Sequence, residues 1–177
     1  EVGTVLVLKH AREVTQLSVH APKTASTLLP GESVAVNGVC VSAVRIGGGR
    51  LTFEIIPETH RLTNLGRLRV GSRVNLEPSL TLSDRLHGHL VLGHIDGLGR
   101  VRRRAMQAGQ ALLEIHLERS LRRYLVPKGP IALDGVSLTL GDRLTATGFS
   151  VYLIPQTLQK TTLSLYRPGD LVNIEID

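Results

Sequence analysis

The chain has 177 residues, of which 42% are hydrophobic and 20% charged, and its formal charge is +6 at pH 7. No apolar run approaches the roughly 18 residues of a membrane span, so the sequence predicts a globular protein with no membrane partner. The one cysteine, Cys40, permits no internal disulfide, and no basic and apolar leader opens the chain. Both features favour a cytoplasmic location.

The positive charge is concentrated in two arginine clusters, residues 100–104 (RVRRR) and 119–123 (RSLRR). Such clusters suggest nucleic acid as a partner. The chain has only three Tyr and two Phe, however, and no Trp, so stacking platforms for single strands are scarce. We therefore interpret the clusters as solvated hairpin and helix faces, with attraction for anionic ligands as the weaker alternative.

In the first half, short apolar runs separated by turn signals predict six strands. The strands fall at Glu1 to Val7, Ser18 to His20, Ser33 to Val36, Val39 to Ile46, Leu51 to Ile56 and Arg73 to Glu77. Residues 22–29 predict a short helix or turn. Residues 57–65 predict a loop with a helical turn, because Pro57 lacks the N–H that a sheet ladder requires.

The second half shows the same order of signals, with strands at Leu90 to Arg102, Leu112 to Leu117, Ile131 to Leu133, Val136 to Gly141, Gly148 to Ile154 and Leu171 to Ile176. A short helix is predicted at residues 118–125. Six short strands without a long helix indicate an antiparallel barrel in each half, because closing the sheet removes its exposed edges.

The two halves are copies of one another. NGVCVS at residues 37–42 matches DGVSLT at residues 134–139, and VNLE at residues 74–77 matches VNIE at residues 172–175. The matching segments lie nearly a hundred residues apart, so the repeated unit has the size of a whole domain. We therefore expect an all-β protein with an N-terminal domain at residues 1–86 and a C-terminal domain at residues 87–177. Residues 90–96 have no counterpart in the first half, so about seven residues are expected to be missing from the front.

Several motifs resemble the riboflavin synthase family from end to end: NGVCVS (37–42), PETHRLTNLG (57–66), VGSRVNLE (70–77), GHLVLGHIDG (88–97), DGVSLTL (134–140), LIPQTLQKTTL (153–163) and VNIEID (172–177). The resemblance implies two similar six-stranded antiparallel Greek-key barrels, each with a short helix and each holding one pteridine. It also implies a homo-oligomer, a trimer in the family. The family's opening segment and the C-terminal helix through which three chains associate are both missing from this sequence.

The activity that the resemblance implies is a dismutation. Two molecules of 6,7-dimethyl-8-ribityllumazine exchange a four-carbon unit and give riboflavin and 5-amino-6-ribitylamino-uracil, the last step of riboflavin biosynthesis. Such a transferase needs no metal and no organic cofactor, because the ring system delocalises the charge itself. Much of the rate should come from holding the two rings in register while side chains relay protons.

The resemblance also implies the site residues. Its catalytic candidates are Cys40, Ser42, His94, Ser137 and Thr139. Its substrate-binding positions are these five together with Ser33, Asn37, Ile56, Glu58, Thr59, Lys128, Ile154, Gln156, Thr157 and Asp177. Cys40 is expected first as a substrate contact and second as a nucleophile.

The residues themselves give partial support. Cys40 and Ser42 lie two apart on a predicted strand, as do Ser137 and Thr139, so each pair shares one face. Taken singly, such pairs are most often ordinary barrel residues, but their recurrence in both copies favours a ligand. His87 and His89, also two apart, are a weak candidate for a metal pair because suitably spaced partners are lacking.

Two alternatives compete with the enzyme. One is a carrier of the same fold that binds lumazine or riboflavin without turnover, as in the antenna proteins of luminous bacteria. The other is a nucleic-acid-binding barrel, which rests only on the arginine clusters. Retention of candidate side chains in both halves favours the enzyme, because a carrier has no use for two pockets.

Overall fold

A computed structural model of the chain describes residues 1–86, 88–107 and 109–177. Six strands form the first half: β1 (Val2–His10), β2 (Thr15–His20), β3 (Ser33–Val36), β4 (Val39–Gly47), β5 (Arg50–Ile55) and β6 (Arg73–Pro78). Two short helices, α1 (Pro22–Ala25) and α2 (Pro57–Leu62), and a 3₁₀ turn (Asn64–Arg67) connect them. Each α-helix starts with a proline, whose missing N–H costs nothing at the first helical position.

All neighbouring strands of the first half are antiparallel, in the order β1-β2-β5-β4-β3-β6. The sheet closes because β6 also pairs with β1, with Val2 opposite Asn75 and Thr4 opposite Arg73. The connection from β2 to β3 therefore crosses the barrel, as in a Greek key.

The second half contains β7 (Gly97–Gln107), β8 (Gln110–His116), β9 (Pro130–Leu133), β10 (Val136–Thr139), β11 (Gly148–Leu153) and β12 (Leu171–Ile176). Its helices are α3 (Arg119–Arg122) and α4 (Pro155–Lys160), followed by a 3₁₀ turn (Thr162–Leu165). The sheet order, β10-β9-β12-β7-β8-β11, is the same cycle as in the first half. Within the described ranges, no helix is long and apolar enough to cross a bilayer.

The second barrel closes less completely than the first. In the first, β4 and β5 pair along a long hairpin from Ala43–Phe53 to Gly47–Arg50. In the second, β10 is only four residues long, and a single bridge between Leu140 and Val151 joins it to β11. The prediction of an all-β chain with two similar six-stranded antiparallel barrels is confirmed, with this opening as the main difference between them.

Each barrel buries its own apolar core, as strand alternation requires. Leu17, Leu51 and Phe53 are fully buried in the first barrel, and Leu113, Ile131 and Val151 in the second. The candidate residues Cys40, Ser42, Ser137 and Thr139 lie at exposed, outward-facing positions of the strands.

The predicted strand at Leu90 to Arg102 is wrong in its first part, because β7 begins only at Gly97. Leu90, Val91 and Leu92 are exposed in the linker between the barrels. Their apolar run imitates a strand, but the backbone N–H groups of Leu92 and Gly93 donate to the carboxylate of Glu175 and not to a neighbouring strand. The first hairpin is longer than predicted, because β1 continues to His10 and β2 starts at Thr15.

The two barrels meet through equivalent turns, Asn37-Gly38 and Asp134-Gly135. All four residues have positive φ, 47° at Asn37 and Asp134 and near 77° at the glycines, as the two central residues of a type I′ hairpin turn require. The two turns pack backbone to backbone, and a Cβ atom on Gly38 would lie 2.5 Å from the Gly135 nitrogen. Glycine is therefore needed here for close approach as well as for backbone conformation.

A network of amide side chains surrounds this contact with nearly two-fold symmetry. Asn75 N donates to Asn37 Oδ1 at 2.8 Å, and Asn173 N donates to Asp134 Oδ1 at 2.8 Å. Across the interface, Asn173 Nδ2 donates to the Asn37 carbonyl at 2.8 Å and Asn75 Nδ2 to the Asp134 carbonyl at 3.1 Å. These bonds fix the orientation of one barrel on the other.

Candidate ligand-binding site

The first-barrel candidates lie on the hairpin of β3 and β4. Ser33 is directly opposite Ser42, and Cys40 and Ser42 are exposed on the outward face while Val39 and Ala43 are buried. Cys40 and Ser42 therefore share one face of β4, as expected. This face lies on the outside of the barrel and not in its interior.

The linker between the barrels passes directly over this face. The Gly93 carbonyl accepts the N–H of Cys40 at 2.9 Å, and a Cβ atom on Gly93 would lie 2.6 Å from the Cys40 Cβ. The Glu175 carboxylate holds the linker in place by accepting the N–H groups of Leu92 at 2.6 Å and of Gly93 at 3.2 Å. A residue of the last strand thus fixes a segment against the first-barrel face.

The second-barrel candidates line a cleft of about 900 Å³. Five of the predicted residues contribute to its wall: Lys128, Ser137, Thr139, Ile154 and Thr157. The cleft opens where β10 and β11 separate, and residues 140–143 and Thr145 form one of its sides. A volume of roughly 300 to 1,000 Å³ is typical of sites for small organic ligands.

Charges at this cleft are partly balanced within the protein. Lys128 Nζ lies 3.3 Å from Asp142 Oδ1, with both side chains exposed. Lys128 occupies a positive φ of 65°, an uncommon conformation for a non-glycine residue. The Lys128 side chain contributes to the lining of the cleft.

His89 is a candidate that the sequence interpretation missed. Its Nδ1 lies 2.8 Å from Ser137 Oγ, and Gly88 packs against the same serine side chain. The same linker that covers Cys40 therefore also reaches the second-barrel face. The motif GHLVLGHIDG contains both histidines, but the resemblance points to His94, and His89 stands out in the sequence only as half of a weak metal pair.

The remaining predicted residues are spread over several surfaces. Ile56, Glu58 and Thr59 lie at the start of α2, and Gln156 lies at the start of α4. His94 and Asp177 are exposed and are absent from the described lining of the cleft. The structure therefore groups Lys128, Ser137, Thr139, Ile154 and Thr157 with one another but does not bring His94 or Asp177 into that group.

Asn37 is in a different environment from the other predicted ligand contacts. Its side chain is 3% exposed, donates to Asn64 and accepts from Asn75 in the interface between the barrels. This arrangement argues against a ligand contact by Asn37, because both ends of its amide already have partners inside the protein.

The counterpart of Asn37, Asp134, is a fully buried carboxyl group. It accepts hydrogen bonds from Asn64 Nδ2 at 2.9 Å, from Asn173 N at 2.8 Å and from the Tyr166 hydroxyl. Burial raises the pKa of Asp134 to about 7 despite these donors, because desolvation disfavours the charged form. The pKa of Tyr166 is raised well above its ordinary value, by burial and by the neighbouring Asp134.

Among residues 1–86, 88–107 and 109–177, no group of three or more His, Cys, Asp or Glu side chains is placed to hold a metal ion. His87, one half of the weak metal candidate, lies outside the described residues. His89, the other half, contacts Ser137.

The fold defines a protein of two similar six-stranded antiparallel barrels, each with a pair of polar side chains on its outward face. Comparison with known proteins shows which family has this arrangement. The family model for the lumazine binding domain matches residues 1–79 and again residues 92–177. Both copies of the repeat are thus covered.

Three bacterial relatives show the family more specifically. Riboflavin synthase of Mycobacterium tuberculosis (strain ATCC 25618 / H37Rv) is 39% identical over 168 residues, which cover 93% of this chain and 84% of the relative. Riboflavin synthase of Escherichia coli (strain K12) is 43% identical over 148 residues, 83% of this chain and 69% of the relative. That of Bacillus subtilis (strain 168) is 36% identical over all 177 residues and 82% of the relative. The chain belongs to the riboflavin synthase family, which confirms the resemblance found in the sequence.

Solved structures give the same fold. A crystal structure of LumP complexed with 6,7-dimethyl-8-(1'-D-ribityl) lumazine superposes with a TM-score of 0.90 and 21% identity, over 99% of this chain and 95% of that chain. The complex of LumP with riboflavin gives a TM-score of 0.92 at the same identity and coverage. At this identity the likeness concerns the fold alone.

Proposed function

We propose that this chain is a riboflavin synthase that converts two molecules of 6,7-dimethyl-8-ribityllumazine into riboflavin and 5-amino-6-ribitylamino-uracil by transfer of a four-carbon unit. The observation that carries the proposal is the pair of equivalent outward faces, Cys40 with Ser42 and Ser137 with Thr139. They occur in a chain 36% to 43% identical to riboflavin synthases of three bacteria. A reaction between two identical substrates suits a protein with two equivalent barrels.

In this proposal, each barrel binds one lumazine on its outward face. Ser137 and Thr139 contact the ligand in the second-barrel cleft, with Lys128, Ile154 and Thr157 in its wall. Cys40, Ser42 and Ser33 contact the ligand on the first barrel, and α2 and α4 contribute Glu58, Thr59 and Gln156 at the ring edges. His94 and Asp177 belong to this proposed set as contacts from the ends of the second barrel.

The chemistry needs a proton removed from an acidic methyl group and a nucleophile added to the second ring. Ser137 is suited to exchange protons, because its hydroxyl lies 2.8 Å from the His89 imidazole, and a positioned imidazole can act as a general acid or base. Cys40 is proposed first as a substrate contact and second as the nucleophile.

The proposal includes the finer properties predicted from the sequence. The chain is a transferase, and its cytoplasmic location is in line with a single cysteine. It associates into a homo-oligomer, a trimer by analogy with the family. The division into domains at residue 86 stays a prediction. It falls in the linker that the lumazine-binding matches at 1–79 and 92–177 leave unassigned.

The competing function is a carrier of the same fold. It is favoured by the LumP structures, one of which contains riboflavin and another flavin mononucleotide. Incubating the chain with 6,7-dimethyl-8-ribityllumazine and following flavin absorbance separates the two. The enzyme produces riboflavin continuously, whereas a carrier shifts the lumazine spectrum on binding and forms no riboflavin. The second result would contradict the proposed function.

A further inference from the structure

A second hollow, of about 390 Å³, lies on the first barrel, and its described lining does not include Cys40 or Ser42. Strands β1, β2, β4 and β5 form it, and three cationic side chains, Lys9, Arg45 and Arg50, contribute to its lining. The described lining contains no carboxylate. Within residues 1–86, 88–107 and 109–177, none of the three cations takes part in a salt bridge.

The inner surface of this hollow includes a pair of hydroxyl groups on neighbouring strands. Ser18 and Thr52 are both buried, and their hydroxyl oxygens lie 3.0 Å apart on paired strands. One hydroxyl hydrogen is used in the bond between them. The other has no further acceptor among the described side chains and is available to donate to a ligand. Gln16 adds an amide to the same lining.

The corresponding region of the second barrel has a different charge. The strand pairs Ser18–Thr52 and Ala43–Phe53 of the first barrel correspond to Glu114–Ser150 and Leu140–Val151 of the second. There, Glu114 pairs with Arg103 at 3.2 Å and Asp142 pairs with Lys128 at 3.3 Å. The fold shared by the two barrels therefore does not require three cationic side chains without acidic partners in this region.

We propose that the hollow bounded by Lys9, Arg45, Arg50, Ser18 and Thr52 binds the phosphate group of a small phosphate monoester. Two guanidinium groups match phosphate oxygens with paired N–H donors, and Lys9 adds a point charge. A hollow of about 390 Å³ holds a phosphate together with a few attached carbon atoms. Free inorganic phosphate shares this chemistry, so the test includes it. The assignment rests on the residues of the hollow and is independent of the proposed riboflavin synthase activity.

The test is a titration of the full chain at low ionic strength with two probes, inorganic phosphate and ribose 5-phosphate. Calorimetry measures the affinity, and changes in amide chemical shifts show which residues the probe contacts. We expect one site per chain, with the largest shifts at Ser18, Arg45 and Thr52. Tighter binding of ribose 5-phosphate identifies a monoester site, whereas equal binding identifies a site for the free anion. Shifts confined to residues 100–104 or 119–123 would overturn the assignment, as would no binding of either probe.

Variants separate a built site from general charge attraction. Arg45→Asp, which places an acid where the second barrel has Asp142, is expected to weaken phosphate binding at least tenfold, and Arg50→Gln about fivefold. Arg69→Gln removes an exposed arginine outside the hollow and should leave the affinity unchanged. Equal losses in Arg50→Gln and Arg69→Gln would overturn the proposal. All three side chains are exposed, so thermal unfolding should show intact folding in each variant.

Discussion

Asp134 and Asn37 occupy equivalent turns, but only Asp134 can carry a charge. The folded-state pKa of Asp134 is about 7, above the ordinary value of 3.8, so the folded chain holds this proton more tightly than the unfolded chain does. The contribution of Asp134 to stability is therefore largest at low pH and is lost as the pH rises from about 4 to about 7. Each unit of the pKa difference corresponds to ~1.4 kcal/mol of unfolding free energy.

Asp134→Asn should remove this pH dependence, because an amide fits the equivalent turn at Asn37. Asn37 Oδ1 accepts the backbone N–H of Asn75 there, just as Asp134 Oδ1 accepts that of Asn173. We expect the variant to be more stable than the parent chain at pH 8, by roughly 1 to 3 kcal/mol, and little changed at pH 4.5. Urea unfolding at the two pH values measures the difference. Asp142→Asn, at an exposed acid of the same barrel, is the control. A variant less stable than the parent at pH 8 would show that the buried charge is favourable.

Ser137 lines the second-barrel cleft and contacts the linker through His89. Ser137→Ala removes the hydroxyl that lines the cleft and contacts the His89 ring. The loss of a hydrogen bond from this hydroxyl to a ligand costs about 1 kcal/mol or more. We expect lumazine to bind the second barrel at least fivefold more weakly, with binding to the first barrel unchanged. Ser120→Ala, at an exposed serine in α3, should match the parent chain. Equal weakening of both sites would argue against independent pockets.

At the scale of elements, the pattern of apolar residues and turns predicted the order of strands well. Asn-Gly and Asp-Gly fix their hairpins locally, because few other residue pairs accept two successive positive φ angles. The limits of β12 at Leu171 and Ile176 agree with the prediction. Local signals located these strands, although they placed the ends of the first hairpin too far from its turn.

The linker shows why the rest could not be predicted. Leu90, Val91 and Leu92 have strand-like composition, but their position depends on Glu175, which is more than 80 residues away in sequence. The contact of His89 with Ser137 depends on that same path. The repeat gave no help, because these residues have no counterpart in the first half. The burial of Asn37 likewise depends on how two barrels pack, which neither copy encodes alone.

Glu175→Gln tests the attachment of the linker. The substitution keeps the shape of the side chain but removes the charge that strengthens the bonds from Leu92 N and Gly93 N. We expect hydrogen exchange at these two amides to accelerate by about fivefold or more, since a charge-assisted hydrogen bond contributes about 1.5 to 3 kcal/mol. Glu54→Gln, on an outward position of β5, provides the comparison. Unchanged exchange in Glu175→Gln would mean that other contacts hold the linker.

At the scale of the whole molecule, the central feature is the contact between the Asn37-Gly38 and Asp134-Gly135 turns. It sets the relative orientation of the barrels and hence of the two candidate faces. The surrounding amides, Asn64, Asn75 and Asn173, are donors or acceptors for groups of both barrels. Displacing one turn should therefore disturb the whole interface.

Gly38→Ala tests this contact, with Gly31→Ala as a matched control. Both glycines have positive φ, but a Cβ atom on Gly31 would meet nothing within 4 Å, whereas one on Gly38 would overlap the Gly135 backbone. We expect Gly31→Ala to reduce the unfolding free energy by about 1 to 2 kcal/mol from backbone strain alone, and Gly38→Ala to reduce it by about 3 kcal/mol or more. Similar losses in the two variants would contradict a tight contact between barrels.

The most direct test of the account is the ratio of lumazine consumed to riboflavin formed in a reaction containing only the chain and 6,7-dimethyl-8-ribityllumazine. A reaction that combines two lumazines predicts two lumazines consumed for each riboflavin, with one 5-amino-6-ribitylamino-uracil released. Lumazine that stays bound and unchanged, with no riboflavin formed, would contradict the account.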